Sequence, residues 1–486
     1  MPTWDLHVAI DHRAELPLFL QIARALADDV RRGRLKPGDA LPGSRRLAET
    51  LAVHRNTVLA AYEELAAEGW IRREPARGTF VSRELPDARP RQFAAPAGGV
   101  EARPGYELRP GPEPYAPGVI RPGILPLYGG VPDRRLAPAL ALGRAYRRAL
   151  AGKHGRALLD YGDPRGHARL RVALGAMLAA TRGVHAPDGA LVVTRGSQQG
   201  LDLIARALIA PGDVVAVEAL GYRPAWEALR SAGARLVPIP VDEDGLRLDA
   251  LAELAARAPL RAVYVTPHHQ YPTTATLTAG RRLQLLELAR ARRFAILEDD
   301  YDHEFHFVGR PILPLASADP SGVVVYLGTL SKILAPGLRI GYLVAPPPVV
   351  ERIVAHRAYA DRQGDLAVEH AVAELLEDGE VARHARRVKR IYSARRELLA
   401  ERLRAELGGA LTFSLPLGGI ALWARVAPDL DVDAWAERAL ARGVELHPAR
   451  RFAFDGRSRP FLRLGFAALD DRELRDAVRR LAQALR

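Results

Sequence analysis

Lys332 lies in the run Gly328-Thr329-Leu330-Ser331-Lys332-Ile333-Leu334-Ala335-Pro336-Gly337-Leu338-Arg339-Ile340-Gly341-Tyr342, directly after the apolar stretch Val323 to Leu327. A lysine amine attacks a carbonyl only when deprotonated, so a site that uses one holds it among polar groups in a partly dry pocket. Thr329 and Ser331 offer hydroxyls to a phosphate, and Arg339 offers a planar fork to clamp it. Taken alone, a Ser-Lys pair in a strand-to-helix loop reads equally as a solvated surface lysine. A second group of chemically able residues is Glu298-Asp299-Asp300-Tyr301-Asp302-His303-Glu304, with His306 close behind. Carboxylates and imidazoles this near one another suggest a metal, but their spacing fits no standard zinc pattern, and no metal is assigned. A third is Gly196-Ser197-Gln198-Gln199, which follows an apolar run and opens a helical one. Its backbone N–H groups and helix dipole suit either an anion or an ordinary helix start.

The elements that must position these groups alternate. Apolar strand-like runs at Ala190 to Thr194, Val214 to Val217, Ala262 to Thr266, Phe294 to Leu297 and Val323 to Leu327 are separated by amphipathic stretches such as Gln198 to Ile209 and Ala279 to Ala291. This pattern predicts an α/β domain over 124–486: a largely parallel sheet covered by helices on both faces, with ligands at the strand carboxyl ends. Ten prolines between Pro86 and Pro126 predict a stiff linker over 85–123.

Residues 14–84 read as helix, helix, helix, hairpin. Phe19, Ile22, Ala23, Leu26 and Val30 make one buried stripe along a helix over Phe19 to Arg32. A second helix, Arg45 to Leu51, takes Ser44 as its N-cap, and a third runs from Arg55 to Glu68 after a short turn. Two short helices so joined have helix-turn-helix geometry, which places Arg55, Asn56 and Thr57 where side chains reach base edges, Arg to guanine and Asn to adenine. Trp70 to Arg73 and Gly78 to Val81 form a two-stranded wing with Arg77-Gly78 at its tip, and Arg45, Arg46, Arg72 and Arg77 are phosphate candidates. The same features also describe a small helical domain with solvated arginines.

Charge does not decide between these readings. The net charge of +13 is spread along the chain, and Met1 to Glu84 carries thirteen basic against twelve acidic residues. With 486 residues, 48% hydrophobic and 26% charged, the chain exceeds one ordinary core and is neither fibrous nor disordered in composition. The absence of cysteine excludes disulfides, thiolate metal sites and iron–sulfur clusters. Met1 to Leu16 lacks a signal pattern, and no apolar run approaches a membrane span, so a cytoplasmic location without membrane contact is expected.

Over nearly its whole length, the segment PLFLQIARALADDVRRGRLKPGDALPGSRRLAETLAVHRNTVLAAYEELAAEGWIRREPARGTFV resembles the winged helix-turn-helix of the GntR family; His54 stands where many members have serine. From about Gly129 onward the chain resembles the fold-type I aminotransferases, which use pyridoxal phosphate. The order of the two modules resembles the MocR subfamily of GntR regulators. That resemblance implies Lys332 as the Schiff-base lysine, with Gly196, Ser197, Gln198, Thr329, Ser331 and Arg339 on the phosphate. It implies Tyr222 stacked on the pyridine ring, Asp299 on its nitrogen and Tyr301 on its phenolic oxygen. Tyr161, in Asp160-Tyr161-Gly162-Asp163-Pro164-Arg165-Gly166, resembles the tyrosine that reaches the phosphate of a neighbouring subunit, which implies a homodimer. Arg463, or else Arg450, would bind an effector carboxylate. The implied function is a transcription factor that reads a double-stranded DNA operator and senses pyridoxal phosphate, or an amine or amino acid reacting with it. The alternatives are a working aminotransferase with an accessory DNA-binding domain and a cofactor used only structurally. One departure is Gln270-Tyr271-Pro272-Thr273, where many aminotransferases have Asn-Pro-Thr-Gly and an amide for the ring oxygen.

Overall fold

The computed structural model describes residues 10–11, 16–75, 77–86, 105–108, 111, 121–153, 155–187, 189–310 and 312–485. Most of the expected linker over 85–123, and the expected domain limit at residue 14, lie outside the described residues. The chain divides into two compact units, Met1–Pro110 and Gly111–Arg486.

In the first unit the stripe on helix Leu18–Arg31 buries Ile22, Leu26 and Val30 against Leu47 of helix Ser44–Thr50 and against Val58, Tyr62 and Leu65 of helix Arg55–Ala67. Strands Ile71–Glu74 and Gly78–Val81 form the expected antiparallel pair. The wing is nevertheless three-stranded, because Ala40–Leu41 pairs along the other side of Gly78–Val81. Two residues are too few for an alternating pattern to reveal them.

Ser44 is not the N-cap that its position suggests. It is the first helical residue, Gly43 precedes it without a side-chain cap, and the Ser44 Oγ accepts instead from Arg55 Nε at 3.2 Å. The capped helix is the next one, where His54 Nδ1 accepts from the Asn56 backbone N–H at 3.2 Å. An imidazole thus takes the place of the serine hydroxyl common at this position.

The second unit is built on a seven-stranded sheet in the order Leu191–Thr194, Gly341–Val344, Val324–Thr329, Ala295–Asp300, Leu260–Val265, Val214–Glu218, Arg235–Ile239. Its pairs are parallel except those that Gly341–Val344 makes on each side. Successive strand residues point to opposite faces, and the two cores follow that alternation. Val193, Val214, Val263, Ile296 and Tyr326 pack on one face, whereas Val192, Val215, Tyr264, Leu297 and Leu327 pack on the other. Burial on both faces is why these strands read as continuous apolar runs.

A second, antiparallel sheet of Leu411–Thr412, Ala421–Val426, Phe461–Gly465 and His447–Pro448 was not anticipated from the alternating pattern. It shares a core with the long helix Glu380–Leu407 and with Asp471–Gln483, whose Asp470 and Glu473 form a capping box. Among the described residues no helix is long and apolar enough to cross a membrane.

Replacing His54 by alanine removes the cap of helix Arg55–Ala67, and a cost of about 1 kcal/mol is expected, with serine restoring most of it. Hydrogen exchange of peptides from 54–67 checks this; unchanged protection in His54→Ala would show that the cap contributes nothing.

Candidate functional site

Strands Ala295–Asp300 and Val324–Thr329 run parallel with Asp299 opposite Leu327 and Asp300 opposite Gly328, so their carboxyl ends open side by side. Around them lies a pocket whose wall carries nine of the anticipated residues: Ser197, Gln198, Tyr222, Asp299, Tyr301, Thr329, Ser331, Lys332 and Arg339.

Lys332 is half-buried, and its Nζ donates to the Gly130 carbonyl at 2.6 Å. Burial pushes its ammonium down to about 8; Asp302 and Asp299 favour the charge, while Arg463 and Arg339 oppose it. A substantial fraction of this amine is therefore neutral near physiological pH. Beside it the Thr329 and Ser331 hydroxyls are linked at 2.9 Å.

Helix Gly196–Leu208 presents its amino end to the pocket through Ser197 and Gln198. Gly196 has φ +73°, and a Cβ there would stand 2.7 Å from Arg339 Nη2. Only glycine permits that approach. Arg339, itself at φ +54°, donates from Nη2 to the Arg195 carbonyl at 3.0 Å, adding a cation to the helix terminus.

Asp299 is buried, and its Oδ2 accepts from Tyr264 at 2.8 Å. Its Oδ1 has no partner among the described residues, and burial pushes the carboxyl up to about 7. A buried carboxylate left half-paired favours a cationic partner. Tyr222 and Tyr301 each meet Tyr271 edge to face, at 5.7 Å and 6.0 Å. The groups present fit pyridoxal phosphate: an anion cradle for its phosphate, an amine for its aldehyde, aromatic faces for its ring and an unpaired carboxylate oxygen for its nitrogen.

Several anticipated residues fall elsewhere. Arg463 is 0% exposed and lies behind the wall, its guanidinium 4.6 Å from the Tyr271 ring centroid, and Nη1 donates to the Pro272 carbonyl at 2.6 Å. Its Nε and Nη2 have no acceptor among the described residues. Arg450 is turned away, paired with Asp433 at 2.8 Å, and the arginine of that turn on the pocket wall is Arg451. Tyr161 is 74% exposed, with the Arg362 guanidinium 4.2 Å from its ring centroid, and is not on this wall. Tyr301 donates to the His269 carbonyl at 2.9 Å.

Sequence reasoning did not find Tyr264, Tyr271, Tyr128 or His447. Tyr264 carried one signal, a phenol inside an otherwise apolar strand. Tyr128 and His447 stack at 4.3 Å, and burial pushes the imidazole down to about 3. Gln270 does not take over the role of the family's asparagine, because its Nε2 donates to the Leu220 and Tyr271 carbonyls at 2.8 and 2.7 Å.

In the first unit Arg45, Arg46, Arg55 and Asn56 are exposed and Thr57 is half-buried. Arg72 and Arg77 both pair with Glu74, at 2.9 and 2.8 Å. Gly78 turns the wing with φ +123°.

Raising the carboxyl of Asp299 from its ordinary value means that its burial costs nothing at acid pH and costs most above about 7, where it ionises. Asp299→Asn at pH 8 is therefore expected to melt no lower than the parent without added ligand, and to lose the melting increase that pyridoxal phosphate confers. A thermal melt with and without pyridoxal phosphate checks both halves; a variant that keeps the full increase would remove Asp299 from the site.

The family model of bacterial regulatory proteins of the gntR family matches residues 18–81, and that of aminotransferase class I and II matches 139–481. The probable rhizopine catabolism regulatory protein MocR of Rhizobium meliloti is 32% identical, over 98% of this chain and 95% of its own. The HTH-type transcriptional regulator TauR of Rhodobacter capsulatus is 34% identical, over 96% of each. Among solved structures, the alpha-aminoadipate aminotransferase LysN of Thermus thermophilus, complexed with N-(5'-phosphopyridoxyl)-L-leucine, superposes with a TM-score of 0.69 at 32% identity, covering 75% of this chain and 92% of that one. With a helix-turn-helix unit, a lysine pocket at the strand ends and relatives matched from end to end, the chain belongs to the MocR-type regulators of the GntR family, in which a DNA-binding module is joined to an aminotransferase class I and II domain.

Proposed function

We propose that the protein holds pyridoxal phosphate at Lys332 and changes its affinity for a double-stranded DNA operator when an amine or amino acid enters the pocket. The observation that carries this is the pairing, in one pocket, of a lysine amine lowered to about 8 with a buried carboxylate oxygen that has no hydrogen-bond partner among the described residues, in a chain whose other unit is a helix-turn-helix. Bound there, pyridoxal phosphate supplies an aldehyde that takes up amines reversibly and draws electrons from them.

The chain's own residues do the rest. Ser197, Thr329, Ser331 and Arg339 hold the phosphate, and Asp299 keeps the ring nitrogen protonated. Tyr264 holds Asp299 in place. Lys332, once displaced by an effector amine, brings a new charge into the pocket, which Asp302 and Asp299 attract and Arg463 and Arg339 repel. That change of charge can bias two arrangements of the protein if the effector binds them unequally. Arg463 has two N–H groups to offer an effector carboxylate. Tyr161, exposed on its own chain, completes the phosphate site of a second subunit in a homodimer.

The module limits implied are 14–84 for the DNA-binding domain, 85–123 for the linker and 124–486 for the sensing domain, in a cytoplasmic protein. Arg55, Asn56 and Thr57 read bases, while Arg45 and Arg46 meet phosphates together with Ser44, Gly78 and, once released from Glu74, Arg72 and Arg77.

Steady aminotransferase turnover is the competing reading, and the engagement of the Gln270 amide with the Leu220 and Tyr271 carbonyls weighs against it. Operator binding is to be measured by gel shift with pyridoxal phosphate and a panel of amines, for the parent and Lys332→Ala. An amine that changes the parent's affinity and not the variant's, without keto acid accumulating, supports the sensor. Keto acid formed at ordinary enzymatic rates, roughly 1–1000 per second, would overturn it.

On a selected operator, Asn56→Ala is expected to cost about 1–3 kcal/mol and to relax base preference at one position. Arg45→Ala is expected to weaken all sequences alike and to lower the salt slope by about one. Binding isotherms across salt concentrations separate the two, and identical behaviour would dismiss the assignment of base and phosphate contacts.

A further inference from the structure

Beside the pocket lie four histidines that play no part in the site described above. His268 and His269 follow strand Leu260–Val265, and His303 and His306 follow strand Ala295–Asp300; the two strands are parallel neighbours, so both loops leave the same edge of the sheet. All four rings are 2–6% exposed. The His268 ring centroid is 4.4 Å from that of His269, 4.6 Å from His303 and 6.0 Å from His306.

The nitrogens of this cluster lack partners. Neither ring nitrogen of His268, nor Nε2 of His269, nor Nδ1 of His306 has a hydrogen bond among the described residues. A buried polar atom left so is destabilising unless something binds it. One nitrogen from each of His268, His269 and His306 lies within 4.8 Å of the others.

One further feature points to a cation. His269 Nδ1 is 2.7 Å from Asp302 Oδ1, which fixes the proton on Nδ1 and leaves Nε2 as a lone-pair donor, the relation by which a carboxylate orients a metal-binding histidine. Gly418, bridged to His306, packs directly against the His269 ring, where a Cβ would stand 2.3 Å from Nε2.

We propose that His268, His269 and His306 form a three-histidine site for a zinc-class divalent cation, with Asp302 orienting His269. A tetrahedral site needs nitrogens about 3.3 Å apart, so the rings close slightly on binding. In a chain without cysteine, imidazole alone favours zinc, copper or nickel over calcium or magnesium. Because the His269 carbonyl accepts from Tyr301, a cation here would steady one wall of the cofactor pocket.

The test uses the full chain without a polyhistidine tag, stripped with a chelator and titrated with Zn²⁺ against a metal-sensing dye. One zinc per chain, a zinc-dependent rise in melting temperature, and at least a tenfold loss of affinity in His268→Gln and in His306→Gln are expected. Binding left unchanged by both variants, or no binding by the parent at micromolar zinc, would overturn the proposal. Should the variants not fold, X-ray absorption of the zinc-loaded parent decides, with a three-imidazole shell supporting the site and a shell of oxygen ligands refuting it.

Discussion

Four carboxylates at the end of one strand, Glu298, Asp299, Asp300 and Asp302, are all at most 5% exposed, and the middle of the large domain is arranged around keeping them there. An ionised group taken out of water costs several kcal/mol unless it is paired or hydrogen-bonded, so each acid needs its own remedy. Glu298 accepts backbone N–H groups from Leu315 and Ala316 at 2.7 and 2.9 Å, although burial still pushes it up to about 7. Asp300 accepts from Tyr326 at 2.7 Å; burial works against its charge, but His303 and Arg182 outweigh it and hold the carboxyl well below the usual range. Asp302 takes His269. Asp299, Asp300 and Asp302 each keep one oxygen without a hydrogen-bond partner among the described residues, and of the three it is Asp299 that stands on the pocket wall.

This division follows from strand geometry. Neighbouring residues point to opposite faces, so Asp299 and Asp300 stand on different sides of one sheet and meet different chemistry. Asp299 shares its side with Tyr264 and the pocket. Asp300 shares its side with Tyr326 and with Arg182, which also bonds Tyr342 at 2.6 Å and pairs with Glu304. One face of the strand end holds a carboxylate prepared to receive a cation, while the other holds one whose cation is built in. The charges that give the pocket its properties therefore rest on a network that no ligand touches.

Much of this was legible in the chain because the signals were local. The Lys332 run, the Gly196 turn and the apolar strands each fit within a dozen or so residues, and nine anticipated residues do line one pocket. What stayed hidden depended on distant partners. Nothing local marks the burial of Glu298, Asp300 and Asp302, because many of the groups that satisfy them, such as Tyr326, Arg182, His269 and the Leu315 N–H, lie far along the chain. Arg450 and Arg451 are adjacent in sequence, and only Asp433 decides which of them turns away. Ser44 Oγ accepts from Arg55, eleven residues on, and caps no helix, while His54 caps the helix that Arg55 begins. The histidine cluster has no recognisable spacing because its members come from two loops.

Glu74 gives the DNA-binding wing a property of its own. By pairing with both Arg72 and Arg77 it holds two guanidinium groups with one carboxylate, as a phosphate could. Exposed pairs of this kind are worth only about 0–1 kcal/mol, so a phosphate presented at the right place and angle displaces Glu74 at little cost. A phosphate met at random gains almost nothing over the carboxylate already there. Together the three side chains carry one net positive charge instead of two, so the wing offers an anion a weaker field than its arginines alone would suggest.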